Sequence, residues 1–140
     1  MRIFFAGPLT DLKNPETTKS LYKDMASVAK TLGFDYFWAF LNGTDPIENP
    51  DVPSRDVYNR DIAELDASDI MIAYIGEATT GTGIEIEHAY YTGKPVIVLY
   101  EQGKKVSRML LGCPAIKKEI VFSSKEDALA QLRAYLISLK

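Results

Sequence analysis

The chain has 140 residues, of which 46% are apolar and 25% charged, and its 16 basic and 19 acidic side chains give a formal charge of −3. This length fits one domain over residues 1–140, and the weak negative charge, without a long Lys/Arg block, argues against a nucleic acid polymer as partner. A single Cys and a single His exclude an internal disulfide and a zinc site of the usual Cys/His type. No apolar run reaches the length of a membrane span and no signal peptide is recognisable, so we expect a cytoplasmic protein with no membrane partner.

The predicted elements alternate between strands and helices. In chain order they are a strand at 3–6, a helix at 17–32, a strand at 34–40, a loop at 41–53, a helix at 54–67, a strand at 70–75, a helix at 82–92, a strand at 95–100, a short helix at 107–111, a strand at 119–122 and a final helix opened by a capping box at 124–127. This alternation predicts an α/β fold, a single-domain Rossmann-like (flavodoxin-like) five-stranded, mostly parallel sheet with helices on both faces. Ligands of such sheets bind beyond the carboxyl ends of the strands, so the loops at 7–11, 41–53 and 76–83 are the candidate binding loops.

Glu85 follows one of these loops, in the stretch Gly-Thr-Gly-Ile-Glu that begins at Gly81. The predicted helix places Glu85 in the first turn, where the helix dipole lowers the pKa of a carboxyl group, so we expect an ionised side chain at neutral pH. One interpretation is a helix-start charge without chemistry. The other is a carboxylate that faces a ligand across a glycine-rich loop and attacks an anomeric carbon.

Asp61 is a second unusual acid. On the predicted helix it shares an apolar stripe with Tyr58, Ile62 and Leu65, at positions i, i+3, i+4 and i+7, so it should face the sheet. A buried acid is costly unless it is paired or used. Either nearby backbone N–H groups satisfy Asp61, or Asp61 and Glu85 form a pair of carboxyl groups whose environments separate their pKa values.

Four short motifs carry a family resemblance: Tyr-Asn-Arg-Asp at 58–61, Ser-Asp-Ile-Met-Ile-Ala at 68–73, Gly-Thr-Gly-Ile-Glu-Ile at 81–86 and Ala-Tyr-Tyr-Thr-Gly-Lys-Pro-Val at 89–96. Together with Phe-Phe-Ala-Gly at 4–7 they resemble the nucleoside 2-deoxyribosyltransferase family, which includes 2′-deoxynucleoside 5′-monophosphate N-hydrolases. The resemblance covers most of the chain, up to about residue 112.

The resemblance implies a retaining, two-step reaction without metal or organic cofactor. Glu85 would attack C1′ of the sugar and hold it as an ester, and Asp61 would assist the leaving base or orient the sugar. Ser107 would act on the substrate of the neighbouring subunit, which implies a homodimer or a larger homo-oligomer with shared active sites. A plain helix N-cap is the other interpretation of Ser107. The implied substrate-binding residues are Phe4, Gly7, Pro8, Leu9, Phe40, Thr79, Gly81, Gly83, Ser107 and Met109.

Two departures bear on the reaction type. Phe4 stands where the family usually has a tyrosine near the nucleophile, and Thr79 stands where transferases tend to have an aspartate that binds the base. We expect transfer of the deoxyribosyl group between nucleobases, with a small-molecule nucleoside or nucleotide and a free nucleobase as partners. Hydrolysis of a 5′-monophosphate, a ribonucleotide-specific hydrolase and a non-catalytic nucleotide-binding module are the alternatives.

Overall fold

A computed structural model describes all 140 residues and shows five strands in one sheet. The strands are β1 Arg2–Ala6, β2 Asp35–Trp38, β3 Ile70–Tyr74, β4 Val96–Glu101 and β5 Ile116–Phe122. The helices are α1 Pro15–Thr31, α2 Ser54–Asp66, α3 Thr80–Tyr91, α4 Arg108–Leu111 and α5 Lys125–Ser138. No helix combines the length and the apolar character that a membrane crossing requires.

The strand order is β2-β1-β3-β4-β5 and every neighbouring pair is parallel. The prediction of an α/β, flavodoxin-like sheet is therefore confirmed, and the sheet is wholly parallel rather than mostly so. The chain leaves β1 toward one edge to form β2 and then returns to the other side of β1 to form β3. The carboxyl ends of β1 and β3 are thus the switch point at which such sheets bind ligands.

Each face of the sheet has its own apolar core. On one face α1 and α5 cover a cluster of 19 buried residues, and on the other α2 and α3 cover a cluster of 13. The central strand β3 is buried along its whole length, as expected for a parallel strand with helices on both sides.

Two element boundaries differ from the prediction with consequences for the site. β2 ends at Trp38, and a single 3-10 turn, Ala39–Leu41, follows it. Phe40 therefore packs its ring on Tyr22 and Trp38, at 5.7 and 5.5 Å between centroids, instead of ending a strand. α3 begins at Thr80, two residues before the predicted start.

The loop after β1 is fastened to α1 by Tyr22. The buried Tyr22 hydroxyl donates a hydrogen bond to the carbonyl of Pro8 at 2.9 Å. Burial raises the pKa of this phenol far above its ordinary value, so it remains a donor. A side chain at Gly7 would bring its Cβ within 2.8 Å of Tyr22 Cζ, so only glycine lets the loop lie against this ring.

Candidate active site

A cavity of about 330 Å³ opens at the carboxyl ends of β1 and β3. Four parts of the chain line it: the loop after β1, the segment between β2 and α2, helix α2 and the start of helix α3. The volume is near the lower end of the range for small-molecule sites, about 300–1,000 Å³. The cavity therefore fits one ligand of nucleoside size at a time.

Glu85 contributes its carboxyl group to this cavity from α3. Burial, followed by the negative charge of Asp61, raises the pKa of Glu85 to about 8. Our expectation of an ionised Glu85 with a lowered pKa is therefore wrong. Because α3 begins at Thr80, Glu85 lies in the second helical turn, where the dipole effect has faded and desolvation dominates.

Asp61 reaches the same cavity from α2. Burial raises its pKa to about 6, against a lowering by the Arg60 charge. Its Oδ1 atom is buried and has no hydrogen-bond partner in the protein, so backbone N–H groups do not satisfy it. The two acids thus converge with different pKa values, and together they hold one proton between about pH 6 and pH 8.

The chemistry of this pair fits proton transfer and nucleophilic attack at a single carbon. A carboxyl group with a raised pKa can donate or accept a proton near neutral pH, and its ionised neighbour can form an ester. No three His, Cys, Asp or Glu side chains are grouped so as to hold a metal ion.

The sequence model of the nucleoside 2-deoxyribosyltransferase family matches residues 3–132. The chain belongs to this family. The match spans four strands and four helices completely and all of β1 except Arg2, and it includes both acids of the cavity. The resemblance carried by the short motifs is therefore confirmed.

Curated relatives and solved structures agree with this family. A protein of Thermofilum pendens, named as a candidate 2′-deoxynucleoside 5′-phosphate N-hydrolase, is 33% identical over 85 residues, and these cover 59% of each chain. A Methanosarcina mazei protein with the same name is 33% identical over 78 residues, which cover 56% of this chain and 48% of that protein. The alignments thus span only about half of the curated relatives.

Two solved structures share the fold across nearly their whole length. The CMP N-glycosidase BcmB of Clostridium botulinum superposes with a TM-score of 0.74 at 20% identity, covering 96% of this chain and 99% of that one. A 2-deoxyribosyltransferase of Bacillus psychrosaccharolyticus gives 0.67 at 24% identity, covering 94% and 96%. At these identities the likeness establishes the fold, and the two neighbours differ in the activity that their names state.

Four of the expected substrate-binding residues of this family member lie on the cavity wall with the two acids. They are Gly7, Leu9, Thr79 and Gly81. Gly7 and Leu9 follow β1, whereas Thr79 and Gly81 frame the start of α3. The cavity thus joins the glycine loops that the sequence singled out.

Three expected residues lie beside the cavity without lining it. Phe4 is buried in the core, with its ring stacked on Phe37 at 5.6 Å between centroids. Phe40 is held by the aromatic packing described above, and Pro8 turns its carbonyl toward Tyr22. Aromatic packing thus orients both rings, and the roles of Phe4 and Phe40 in substrate binding stay predictions.

Gly83, Ser107 and Met109 line a second cavity of about 430 Å³ on the other side of α3. Thr79 and Thr82 line both cavities, so the two adjoin at the start of α3. Ser107 is the N-cap of α4, because its Oγ accepts a hydrogen bond from Leu110 N at 3.3 Å. Its action on a neighbouring subunit's substrate stays a prediction.

Several lining residues of the cavity were not expected from the sequence. Ser54 and Val57 lie seven and four positions before Asp61, so the helical spacing of α2 carried a signal for them. Thr44 and Asn49 lie in the predicted binding loop at 41–53, but no local pattern marked these two residues within it.

Replacing Glu85 with Gln tests the raised pKa through stability. The folded state binds the Glu85 proton more tightly than the unfolded chain does, so this group stabilises the fold below about pH 4.5 and that contribution is lost as pH rises through about 8. The free energy of unfolding of Glu85→Gln should therefore rise relative to wild type across this window, by up to about 1.4 kcal/mol per pH unit. Urea titrations at several pH values measure it.

The matched control is Glu87→Gln, an exposed position on the same helix. The free energy of unfolding of Glu87→Gln, relative to wild type, should not rise across this pH window. A difference for Glu85→Gln that stays flat from pH 4.5 to 8 would contradict the raised pKa.

Proposed function

We propose that this chain cleaves the N-glycosidic bond of 2′-deoxynucleosides or their 5′-monophosphates through a covalent sugar ester on Glu85. The observation that carries the proposal is the convergence of Asp61 and Glu85 in one cavity at the strand switch point, in a member of this family. A non-catalytic binding module would gain nothing from two neighbouring acids whose pKa values are raised by burial, whereas an enzyme can use them as acid, base or nucleophile.

In the first step a Glu85 carboxylate oxygen attacks C1′ of the sugar. The bond from C1′ to the base nitrogen breaks, the base leaves with the electron pair, and Asp61 supplies a proton to it. In the second step water attacks C1′ and gives a proton to Asp61, while the ester bond breaks and restores the Glu85 carboxylate. The reaction therefore starts from the pair that carries one proton, on Asp61.

At rest the proton resides on Glu85, because its pKa is the higher of the two. Moving the proton to Asp61 costs at most about 3 kcal/mol, the difference of about two pKa units. This cost is small compared with the barrier reduction of about 8 kcal/mol or more that enzymes achieve. The resting protonation also leaves Glu85 neutral, so an anionic substrate can dock beside it.

The start of α3 offers a place for the 5′ group of such a substrate. The first amides of a helix have no partner within the helix, and the Thr79 side chain does not cap them. Gly81 is open to close approach, because a Cβ built there has only Thr79 Oγ1 within 4.0 Å. Helix N-termini of this kind bind phosphate or hydroxyl oxygens.

Water is the acceptor that the relatives favour. The names of the curated relatives designate N-hydrolases of 2′-deoxynucleoside 5′-phosphates. In addition, the side chain six positions before Glu85 presents a hydroxyl, that of Thr79, to the cavity. Transfer to a second base, our first expectation from the sequence, is the second candidate function, and the Bacillus neighbour is named for it. In either case the cavity volume implies that the first base leaves before an acceptor enters.

Product analysis with Glu85→Gln tests the function. The protein is incubated with 2′-deoxycytidine 5′-monophosphate or 2′-deoxycytidine, with and without free adenine, and products are separated by chromatography. We expect release of cytosine and free sugar or sugar phosphate. The Gln side chain cannot form the ester, so turnover should fall by about three orders of magnitude or more.

Glu87→Gln is again the control and should retain turnover within about threefold, as surface substitutions away from the reacting atoms do. Near wild-type turnover in Glu85→Gln would reject the assignment of the nucleophile. Appearance of a deoxyadenosine product would establish transfer in place of hydrolysis.

The pH dependence of kcat/KM gives a separate prediction. Because the active pair carries one proton, kcat/KM should pass through a maximum between about pH 6 and pH 8 and fall on both sides. In Asp61→Asn only Glu85 of the pair titrates, so the alkaline fall should disappear. The remaining acid limb should report the pKa of Glu85, which should lie below about 8 because the Asp61 charge no longer repels its carboxylate. An unchanged alkaline limb in this variant would show that Asp61 is not the partner.

A further inference from the structure

The segment 42–53, between the 3-10 turn after β2 and the start of α2, forms one wall of the cavity and contains no helix or strand. It contributes Thr44, Pro46, Asn49, Pro50 and Val52 to the lining. Such a wall discriminates between ligands only if its backbone is held in one conformation. Its central charged residue, Asp45, has only 1% of its surface exposed. Aspartate is rarely buried to this extent unless it is paired.

The Asp45 carboxylate is fully engaged. Its Oδ1 accepts hydrogen bonds from the amides of Ile47 and Glu48, at 2.7 and 3.2 Å. Its Oδ2 accepts a hydrogen bond from Lys19 Nζ of α1 at 2.7 Å. Burial alone would raise the pKa of Asp45, but these hydrogen bonds hold it below its ordinary value. Asp45 is therefore an anion at neutral pH that folds the segment on itself and ties it to α1.

Asp45 also holds the backbone that carries Asn49, a polar residue of this wall. The Asn49 amide N–H donates to the Asp45 carbonyl at 2.8 Å, so the position of Asn49 follows that of Asp45. The neighbouring Thr44 hydroxyl is already used, since it donates to the Ala39 carbonyl at 3.1 Å. The Asn49 side chain has no hydrogen-bond partner in the protein and carries both a donor and an acceptor. Such an amide suits the edge of a nucleobase, which presents donors and acceptors in one plane.

We propose that Asn49 reads the nucleobase and that Lys19 and Asp45 are the positioning residues that hold it in place. This rests on the proposed function, which places the sugar at Asp61 and Glu85 and the 5′ group at the start of α3. The base would then lie between the loop after β1 and the segment 42–53, and Asn49 is the lining side chain of that segment with a free amide. Neither Lys19 nor Asp45 lines the cavity, so their effect on selectivity passes through the segment.

The test compares Lys19→Met with Lys19→Arg and measures two independent properties. Hydrogen exchange reports whether the amides of Ile47, Glu48 and Asn49 stay protected. Loss of a hydrogen bond between charged groups should lower their protection by about ten- to hundredfold in Lys19→Met, and Lys19→Arg should restore most of it. Exchange is measured without substrate and does not depend on the proposed function.

Selectivity is the second property. The measured quantity is the ratio of kcat/KM for 2′-deoxycytidine 5′-monophosphate to that for 2′-deoxyguanosine 5′-monophosphate. This ratio should change by about tenfold in Lys19→Met and in Asn49→Ala, because one good pair of hydrogen bonds to a base contributes discrimination of that order. The change should appear in KM more than in kcat. Lys19→Arg should return the ratio toward wild type. If Lys19→Met does not fold, the double variant Lys19→Met/Asp45→Asn removes both charges, keeps an acceptor for the two amides and should show the same change in the ratio.

Asp24→Asn is the matched control. Asp24 lies on α1, as Lys19 does, and its Oδ2 is 2.8 Å from Nζ of Lys125 on α5. Both side chains of this pair are 41% exposed. Its exchange pattern at 47–49 and its selectivity should equal those of wild type. The proposal is overturned if Lys19→Met and the double variant keep the wild-type ratio, or if Asp24→Asn changes it equally. If no variant and no wild-type protein turns over nucleotides, the proposed function fails, whereas the exchange result still decides whether Lys19 holds the segment.

Discussion

The partial burial of two acidic side chains beside each other in one cavity is the constraint on which the rest of the site depends. An isolated carboxylate is costly in such surroundings, and two neighbouring ones are costlier. One of the two groups therefore stays protonated, and the pair of Asp61 and Glu85 carries one negative charge at neutral pH rather than two. The same arrangement that opposes ionisation brings both pKa values close to 7, which suits the acid, base and nucleophile roles that we propose for the pair.

Rigid packing of α2 against α3 holds the two carboxyl groups together. Beyond the cavity, His88 Nε2 of α3 lies 2.7 Å from Asp66 Oδ1 at the end of α2. Lys94, just after α3, donates to the carbonyls of Asp66 and Ser68 at 2.9 and 2.6 Å. These contacts join the ends of the two helices, and the apolar core beneath them fixes their spacing on the sheet. The facing walls of the cavity are fastened from the other side of the sheet, by Tyr22 and Lys19 of α1.

The sequence predicted the sheet and the two acids because local patterns encode both. Apolar runs between turn residues marked the five strands, and the helical spacing of Asp61 placed it toward the core. The protonation of Glu85 was not predictable in this way, since it depends on a helix start two residues earlier and on burial by segments distant in the chain. The packing of Phe40 and the place of Asn49 on the cavity wall were unpredictable for the same reason. A ring at the end of a strand finds its partners only in the folded core, and an irregular segment takes its shape from contacts such as that between Lys19 and Asp45.

Covalent trapping tests the central claim most directly, because the claim is that Glu85 forms a bond to the sugar. A 2′-fluoro-2′-deoxynucleoside slows both steps but the second one more, so the ester accumulates and mass spectrometry of the digested protein can locate it. The account predicts a fluorodeoxyribosyl adduct on Glu85 that is absent from Glu85→Gln. Free base released without any adduct, or an adduct on another residue, would contradict it.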